Sequence, residues 1–217
     1  MNQKPTDPPQ RTLELLDLHH DSFYAAVAFA KETGHPAPSE TRAWSQILVS
    51  VLTGLKGRQR KKGTDLVDGS DVKAANTWEA IDTPRFNNVI KAGTKAKTAG
   101  RLESLDQMPY LFFVLWDHSP ATHRARCRVW CVCPVTDKAF RKMCKTWYKK
   151  RDEGKITSDN FQLHPPSGKD SNEIRNECGN LLYPLLLCAE HDKDRFRVIE
   201  YRPEVMKVGK CQLSPDK

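Results

Sequence analysis

The chain has 217 residues, a formal net charge of +8, and 38% hydrophobic and 29% charged residues. This length and balance exclude a disordered chain and a small disulfide scaffold, and they predict one domain with a substantial core. The excess of Lys and Arg favours a polyanionic partner.

The chain opens with a polar segment, residues 1–10, that has no signal sequence, and no apolar run is long enough to span a membrane. The seven cysteines are scattered through apolar context, as is typical of reduced thiols. We therefore expect a cytoplasmic protein without membrane contact. We predict a disordered tail over residues 1–10, a single domain over residues 11–207 and a second tail over residues 208–217.

Two helices are predicted before the first strand. Residues 12–31 have helical periodicity, with one face formed by Leu13, Leu16, His20, Tyr24, Val27 and Ala28. A Gly-Pro segment ends this helix, and Ser39 is predicted to cap the next. The second helix has an apolar face of Trp44, Ile47, Leu48, Val51, Leu52 and Leu55. Glu40 in its first turn suits a helix N-terminus, and it could also serve as an outer acid for a second metal.

A turn signal, Asp68-Gly69, separates two short β-prone runs and predicts a hairpin. With a three-residue loop, Gly69 takes the left-handed position and Asp65 lies opposite Asp71. The period of two then puts Lys73 on the same face as Asp71. A two-residue loop would instead pair Asp65 with Val72, and we favour the longer loop.

Two carboxylates and a lysine on one face suit phosphodiester cleavage. Asp65, Asp71 and the carbonyl of Val72 supply hard oxygen ligands for Mg²⁺. The metal acidifies a water and neutralises developing charge, while Lys73 orients or deprotonates that water. The alternative is a solvated polar hairpin, since a D-x-K match alone is weak.

The string Gly63-Thr64-Asp65, followed by residues 70–76, resembles the active-site hairpin of PD-(D/E)xK restriction endonucleases. Residues 71–85 and 111–116 resemble the MamI-like branch in particular. The resemblance implies that Asp65 is the first acid, Asp71 the second and Lys73 the lysine. Thr64 stands where the family name has proline, and the spacing between the acids is short. Asp68 is therefore the fallback for the first acid.

The rest of the chain predicts a mixed sheet. Residues 110–116 form a near-continuous apolar run typical of a central strand, and residues 126–133 alternate like an antiparallel neighbour. A basic helix over residues 136–151, capped by Thr136, follows. Residues 181–188 and 196–201 are strand-like, although Pro184 favours an edge strand or a helix for the first. We predict the α/β class, with a central mixed β-sheet flanked by helices as in the PD-(D/E)xK core.

DNA contacts are predicted on both sides of the hairpin. The basic run before it supplies phosphate contacts, and the polar segment after it supplies amide and guanidinium groups that can read base edges. Residues 82–100 are expected to form a loop with a short helix. The predicted DNA-binding residues are Arg58, Arg60, Lys61, Lys62, Asn76, Thr77, Trp78, Arg85, Asn87, Asn88, Lys91, Lys95 and Lys97. Solvated helix-end and loop chemistry is the alternative for these groups.

Cys127, Cys131 and Cys133, with His123, invite a zinc hypothesis. Their spacing differs from that of zinc knuckles, and alternation on a strand favours buried core packing instead.

These features predict a type II restriction endonuclease that cuts double-stranded DNA with Mg²⁺ at a short palindrome and leaves 5′-phosphate ends. It would work as a homodimer, with a cognate DNA methyltransferase as genetic partner. A repair or recombination nuclease of the same superfamily (a nickase or a junction resolvase) is the alternative, and a non-catalytic DNA-binding protein is the third hypothesis.

Overall fold

The computed structural model describes residues 7–59, 63–78, 84–90, 102–166 and 171–208. Its helices are α1 (Pro8–Thr33), α2 (Arg42–Thr53), α3 (Glu103–Asp106), α4 (Lys138–Asp152) and α5 (Glu204–Val208). Its strands are β1 (Asp71–Asn76), β2 (Leu111–Ser119), β3 (Arg124–Val132), β4 (Glu173–Asn176), β5 (Gly179–Leu182), β6 (Leu185–Asp192) and β7 (Arg195–Tyr201).

A mixed five-stranded sheet in the order β1-β2-β3-β6-β7 forms the centre of the fold. β1 runs parallel to β2, and every other neighbouring pair is antiparallel. β1 is therefore an edge strand, and β4 and β5 form a separate two-stranded sheet. The mixed sheet with flanking helices confirms the predicted fold class.

The sheet lies between two apolar layers. On one face, Phe112, Val114 and Trp116 of β2 pack in a cluster with residues of α1 and α2. On the other face, Phe113 and Leu115 pack in a cluster with residues of α4. β2 is buried on both faces because its side chains alternate between these layers. The predictions of a central strand and an antiparallel neighbour are confirmed.

The first two helices form where predicted, but their boundaries and buried faces differ. α1 begins at Pro8, so the predicted tail does not extend to residue 10, and it buries His19 and Phe23 rather than His20 and Tyr24. α2 begins after Thr41 and not at a Ser39 cap. Glu40 Oε1 accepts the N–H groups of Arg42 and Ala43, which supports its helix-terminus role.

The prediction of a β-hairpin that ends in β1 is wrong, because the described residues before β1 form no strand. Residues 63–70 form a tight turn, in which Leu66 N–H donates to Ser70 O and Leu66 bridges Gly57. The predicted left-handed glycine is confirmed, because Gly69 has a φ of +97°. A Cβ on Gly69 would lie 2.8 Å from Gln107 O, so both space and backbone conformation require glycine here.

The C-terminal half follows the prediction with three changes. α4 is capped by Asp137, whose Oδ1 accepts Phe140 N–H, and not by Thr136. The strand-like run over residues 181–188 is divided by Pro184 between β5 and β6, and β6 is an internal strand. Most of the segment 82–100, where a loop with a short helix was expected, lies outside the described residues, and residues 84–90 are not helical. Among the described helices, none is long and apolar enough to cross a membrane.

Cys127 and Cys131 are buried in the sheet core, which confirms core packing for them. The other predicted zinc-site cysteine, Cys133, is also buried and reduced. In the described part of the chain, no group of three or more His, Cys, Asp or Glu side chains is arranged to hold a metal ion.

Candidate active site

Asp71 and Lys73 lie on the edge strand β1 and share one face of it. Their side chains form an ion pair, with Lys73 Nζ 2.7 Å from Asp71 Oδ2. Both side chains are largely buried, at 14% exposed for Asp71 and 18% for Lys73. The period of two on a strand predicts that the two side chains share a face, and the ion pair confirms it.

Asp65 reaches the same place from the turn. Its Oδ2 accepts the N–H of Val72 at 3.0 Å, so the carboxylate stands where a partner strand would otherwise lie. Its side chain is only 7% exposed and shares a hydrogen bond with Asp71. The structure thus brings Asp65, Asp71 and Lys73 together although no hairpin forms.

The two carboxyl groups have opposite pKa shifts. Burial raises the pKa of Asp65 to about 6, and the hydrogen bond and negative charge of Asp71 add to the rise. Burial acts against ionisation of Asp71 too, but the Asp65 hydrogen bond and the Lys73 charge outweigh it and lower the pKa of Asp71. Ionising both carboxylates in contact is unfavourable, so the pair keeps one proton below about pH 6 and loses it above that pH.

This arrangement fits a divalent cation of the Mg²⁺ type. The cation can take the place of the shared proton between two carboxylates, which are the hard oxygen ligands that Mg²⁺ prefers. In a parallel pair, alternate residues direct their backbone groups to the partner strand, and Asp71 N–H donates to Tyr110 O. The N–H and C=O of Val72 therefore point to the free edge, where Asp65 lies. Asp65, Asp71 and Val72 O would hold the ion.

In the metal-free protein, we expect the carboxyl group of Asp65 to titrate near pH 6 when followed by carbon NMR. Asp71→Asn should lower this pKa only in part, because it removes the charged neighbour but leaves the burial. Asp68→Asn is the control, and it should leave the titration unchanged. An Asp65 pKa at its ordinary value of 3.8 would contradict the shared proton.

Asp71 and Lys73 open into a groove of about 1040 Å³, whereas Asp65 is not among the residues that line it. Its lining includes Asp71, Lys73 and the start of α2, together with Arg85, Asn87 and Asn88 from the segment 84–90. That segment is held by residues 160–163: Arg85 Nη1 donates to Gln162 Oε1, and Asn88 N–H donates to Asn160 Oδ1. Three predicted DNA-binding residues therefore form a fixed wall of the groove that Asp71 and Lys73 line.

The other described residues predicted to bind DNA are committed to the protein itself. Arg58 donates to the carbonyls of Leu66 and Val67 and so fixes the turn that carries Asp65. Asn76 and Trp78 donate to the carbonyls of Ser39 and Pro38, and Thr77 donates to His118 O. DNA contact by these four residues stays a prediction. Arg60, Lys61, Lys62, Lys91, Lys95 and Lys97 lie outside the described residues.

Two residues at the site were missed in the sequence. Gln46 of α2 donates from Nε2 to Asp65 Oδ1 at 2.6 Å, and Arg42 Nη2 lies 3.5 Å from the same oxygen. Arg42 and Gln46 are spaced i, i+4 and so share one face of the helix. The predicted apolar face of α2 included Ile47, which is 50% exposed. The buried face of the helix is therefore rotated from the predicted one, and Gln46 was not expected to face the site.

The sequence profile of the family described as MamI restriction endonuclease matches residues 28–198. The chain belongs to the MamI restriction endonuclease family. The type II restriction enzyme MamI of Microbacterium ammoniaphilum is 34% identical over 209 residues, which cover 86% of this chain and 66% of that relative. The chain thus spans just under two thirds of the length of the relative. No solved structure gives a significant match.

The MamI family match supports the resemblance seen in the sequence, and it includes every residue of the site described above. Residues 28–198 contain α2, the turn, all of β1 and the groove wall, but only the last turn of α1. The family assignment therefore concerns the same part of the fold that carries the acids.

Proposed function

We propose that this protein is a type II restriction endonuclease that hydrolyses both strands of double-stranded DNA with Mg²⁺ as cofactor. The observation that carries the proposal is the contact of Asp65, Asp71 and Lys73 at a sheet edge, where Asp71 and Lys73 line a groove. Membership of the MamI family supports it. The groove wall adds Arg and Asn side chains of the kind that read bases.

The chain's own residues divide the chemical work. Asp65 and Asp71 would hold the ion with the carbonyl of Val72, and Asp65 would bind it in its ionised form. Mg²⁺ bound there would supply an acidified water and neutralise charge that develops at the phosphate. Lys73, paired with Asp71 at 2.7 Å, can donate a hydrogen bond to the attacking water and add positive charge at the scissile phosphate.

The assembly follows from the need to cut two strands. One chain supplies one set of acids and one lysine, so a twofold dimer on a palindromic site places one set at each strand. We propose a homodimer on DNA, cleavage that leaves 5′-phosphate ends and a cognate methyltransferase encoded nearby. The reduced cysteines among the described residues are compatible with work in the cytoplasm.

Digestion of a sequenced plasmid with Mg²⁺ tests the function, with run-off sequencing of the ends. We expect discrete fragments whose ends share one short palindrome. The same reaction in EDTA is the control. Single-strand nicks at unrelated sequences would favour a repair nuclease, and intact plasmid under both Mg²⁺ and Mn²⁺ would contradict the proposal.

A further inference from the structure

We propose that Gln46 is a positioning residue that holds the Asp65 carboxylate in the orientation needed to bind the divalent ion. This inference rests on the proposed function, because it concerns the same pair of acids. Gln46 Nε2 lies 2.6 Å from Asp65 Oδ1, and this is the shortest side-chain contact that Asp65 makes with α2.

The two oxygens of Asp65 are held by different donors. Oδ1 accepts from Gln46 at 2.6 Å, and Oδ2 accepts from Val72 N–H at 3.0 Å. One donor on each oxygen fixes the rotation of the carboxylate about its Cβ–Cγ bond and leaves its remaining lone pairs available to a ligand. Without Gln46, Oδ1 would lose its one close donor and keep only the 3.5 Å contact with Arg42, so the carboxylate could rotate more freely.

Asp65 needs such a support because it comes from a turn and not from a strand. Residues 63–70 make few backbone bonds to the sheet, whereas Asp71 is fixed by the ladder between β1 and β2. Side chains held on regular elements keep a more precise geometry than those held on loops. The hydrogen bond from Gln46 fixes the position of Asp65, as strand pairing fixes the position of Asp71.

Gln46 is itself rigidly placed. The preceding residue, Ser45, is fully buried and accepts a hydrogen bond from Trp116 Nε1 at 2.8 Å. Trp116 belongs to β2, and Leu48 and Val49 of α2 pack in the same core cluster. A continuous path of contacts therefore runs from the central strand through α2 to the Asp65 carboxylate.

Arg42 does not provide the same support. Its Nη2 lies 3.5 Å from Asp65 Oδ1, and its side chain is 65% exposed. At that distance and exposure the contact is weak and screened by solvent. The orientation of Asp65 thus depends on the neutral amide, which directs an oxygen without adding a positive charge that would oppose a cation.

The test is Mn²⁺ binding to the DNA-free protein, followed by calorimetry or electron paramagnetic resonance. Gln46→Met keeps the side-chain length and removes the donor, and it should weaken Mn²⁺ binding by roughly tenfold or more, as is typical when a partner that orients a metal ligand is lost. Gln10→Met is the matched control, since Gln10 is an exposed helical glutamine far along the chain from the acids. It should bind Mn²⁺ like the unmodified protein.

The midpoint of thermal unfolding separates positioning from a merely structural role. A structural role would lower the midpoint of Gln46→Met and leave the affinity of the folded protein for Mn²⁺ unchanged, and that result would overturn the inference. Asp71→Asn should abolish Mn²⁺ binding. If it does and Gln46→Met binds like the unmodified protein, only the role of Gln46 fails. If the unmodified protein and Asp71→Asn bind Mn²⁺ alike, the proposed function fails with it.

Discussion

Asp71→Ala is expected to cleave DNA at least about a thousandfold more slowly than the unmodified protein and still to bind it. The substitution removes a proposed metal ligand and the partner of both Asp65 and Lys73, but it leaves Arg85, Asn87 and Asn88 of the groove wall unchanged. The substitution also removes a negative charge from the groove that is proposed to hold the DNA phosphates, so DNA binding should be equal or tighter. Cleavage rates at saturating Mg²⁺ and a gel-shift assay in Ca²⁺ measure the two effects.

Lys73→Met should give a comparable loss of cleavage for a different reason. The ammonium group would no longer orient the water, while both acids remain to bind the ion. Near-normal cleavage by either variant would overturn the assignment of the active site. Asp68→Asn is the matched control, because Asp68 accepts hydrogen bonds from Ser70 within its own turn. It should cleave within a few-fold of the unmodified protein, whereas loss of cleavage would make Asp68 the first acid.

The sheet was predictable where burial dominates the sequence. The apolar run over residues 110–116 has to be a strand covered on both faces, because its length suits a strand and every side chain is apolar. The stretch before β1 was harder, because its Asp-Gly turn signal is correct but the flanking run pairs with no strand among the described residues. The Asp65 side chain takes the backbone N–H of Val72 in place of a strand partner. A side chain that takes the place of a strand partner leaves no periodic pattern in the sequence, so it could not be predicted.

The candidate site was predictable to the extent that it lies within one element. Asp71 and Lys73 are two residues apart on a strand, so their shared face follows from local geometry. Gln46 is separated from Asp65 by 19 positions, and their contact depends on how α2 rotates over the sheet. Arg58 was assigned to DNA because of its charge, but two carbonyls of the turn take its guanidinium group. Contacts of this kind depend on tertiary packing and not on residue type.

A cluster of buried histidines joins α1 to the sheet. His19 and His118 are 4% and 3% exposed, with ring centroids 5.4 Å apart, and His20 stacks on His191 at 3.8 Å. His19 Nδ1, His20 Nε2 and both ring nitrogens of His118 are buried and have no hydrogen-bond partner among the described residues. Burial lowers the pKa of His118 to about 3 and that of His19 to about 4, and the neighbouring histidine of each adds to the effect. Burial also lowers the pKa of His20, so His19, His20 and His118 are favoured in their neutral forms in the folded protein.

The protein should accordingly lose stability as the pH falls below about 6.5. A histidine whose folded pKa is depressed contributes stability that is fully present above its unfolded pKa and is lost as the pH falls towards the folded value. Each such histidine lowers the free energy of unfolding by up to about 1.4 kcal/mol per pH unit, with half that slope at pH 6.5, so His19 and His118 together give about 3 kcal/mol between pH 6.5 and pH 5. Urea unfolding at these two values measures the change in the free energy of unfolding.

His118→Phe separates this effect from the titration of carboxyl groups. The variant keeps a ring among Phe23, Trp78 and Trp116 and removes one titrating group, so it should lose about half of the acid sensitivity. It also removes two buried nitrogens that lack partners, which should leave stability at pH 7.5 unchanged or improved. His35→Gln, at an exposed histidine outside the cluster, should keep the full pH dependence. If His118→Phe were as acid-sensitive as the unmodified protein, the destabilisation would have to come from groups other than this cluster.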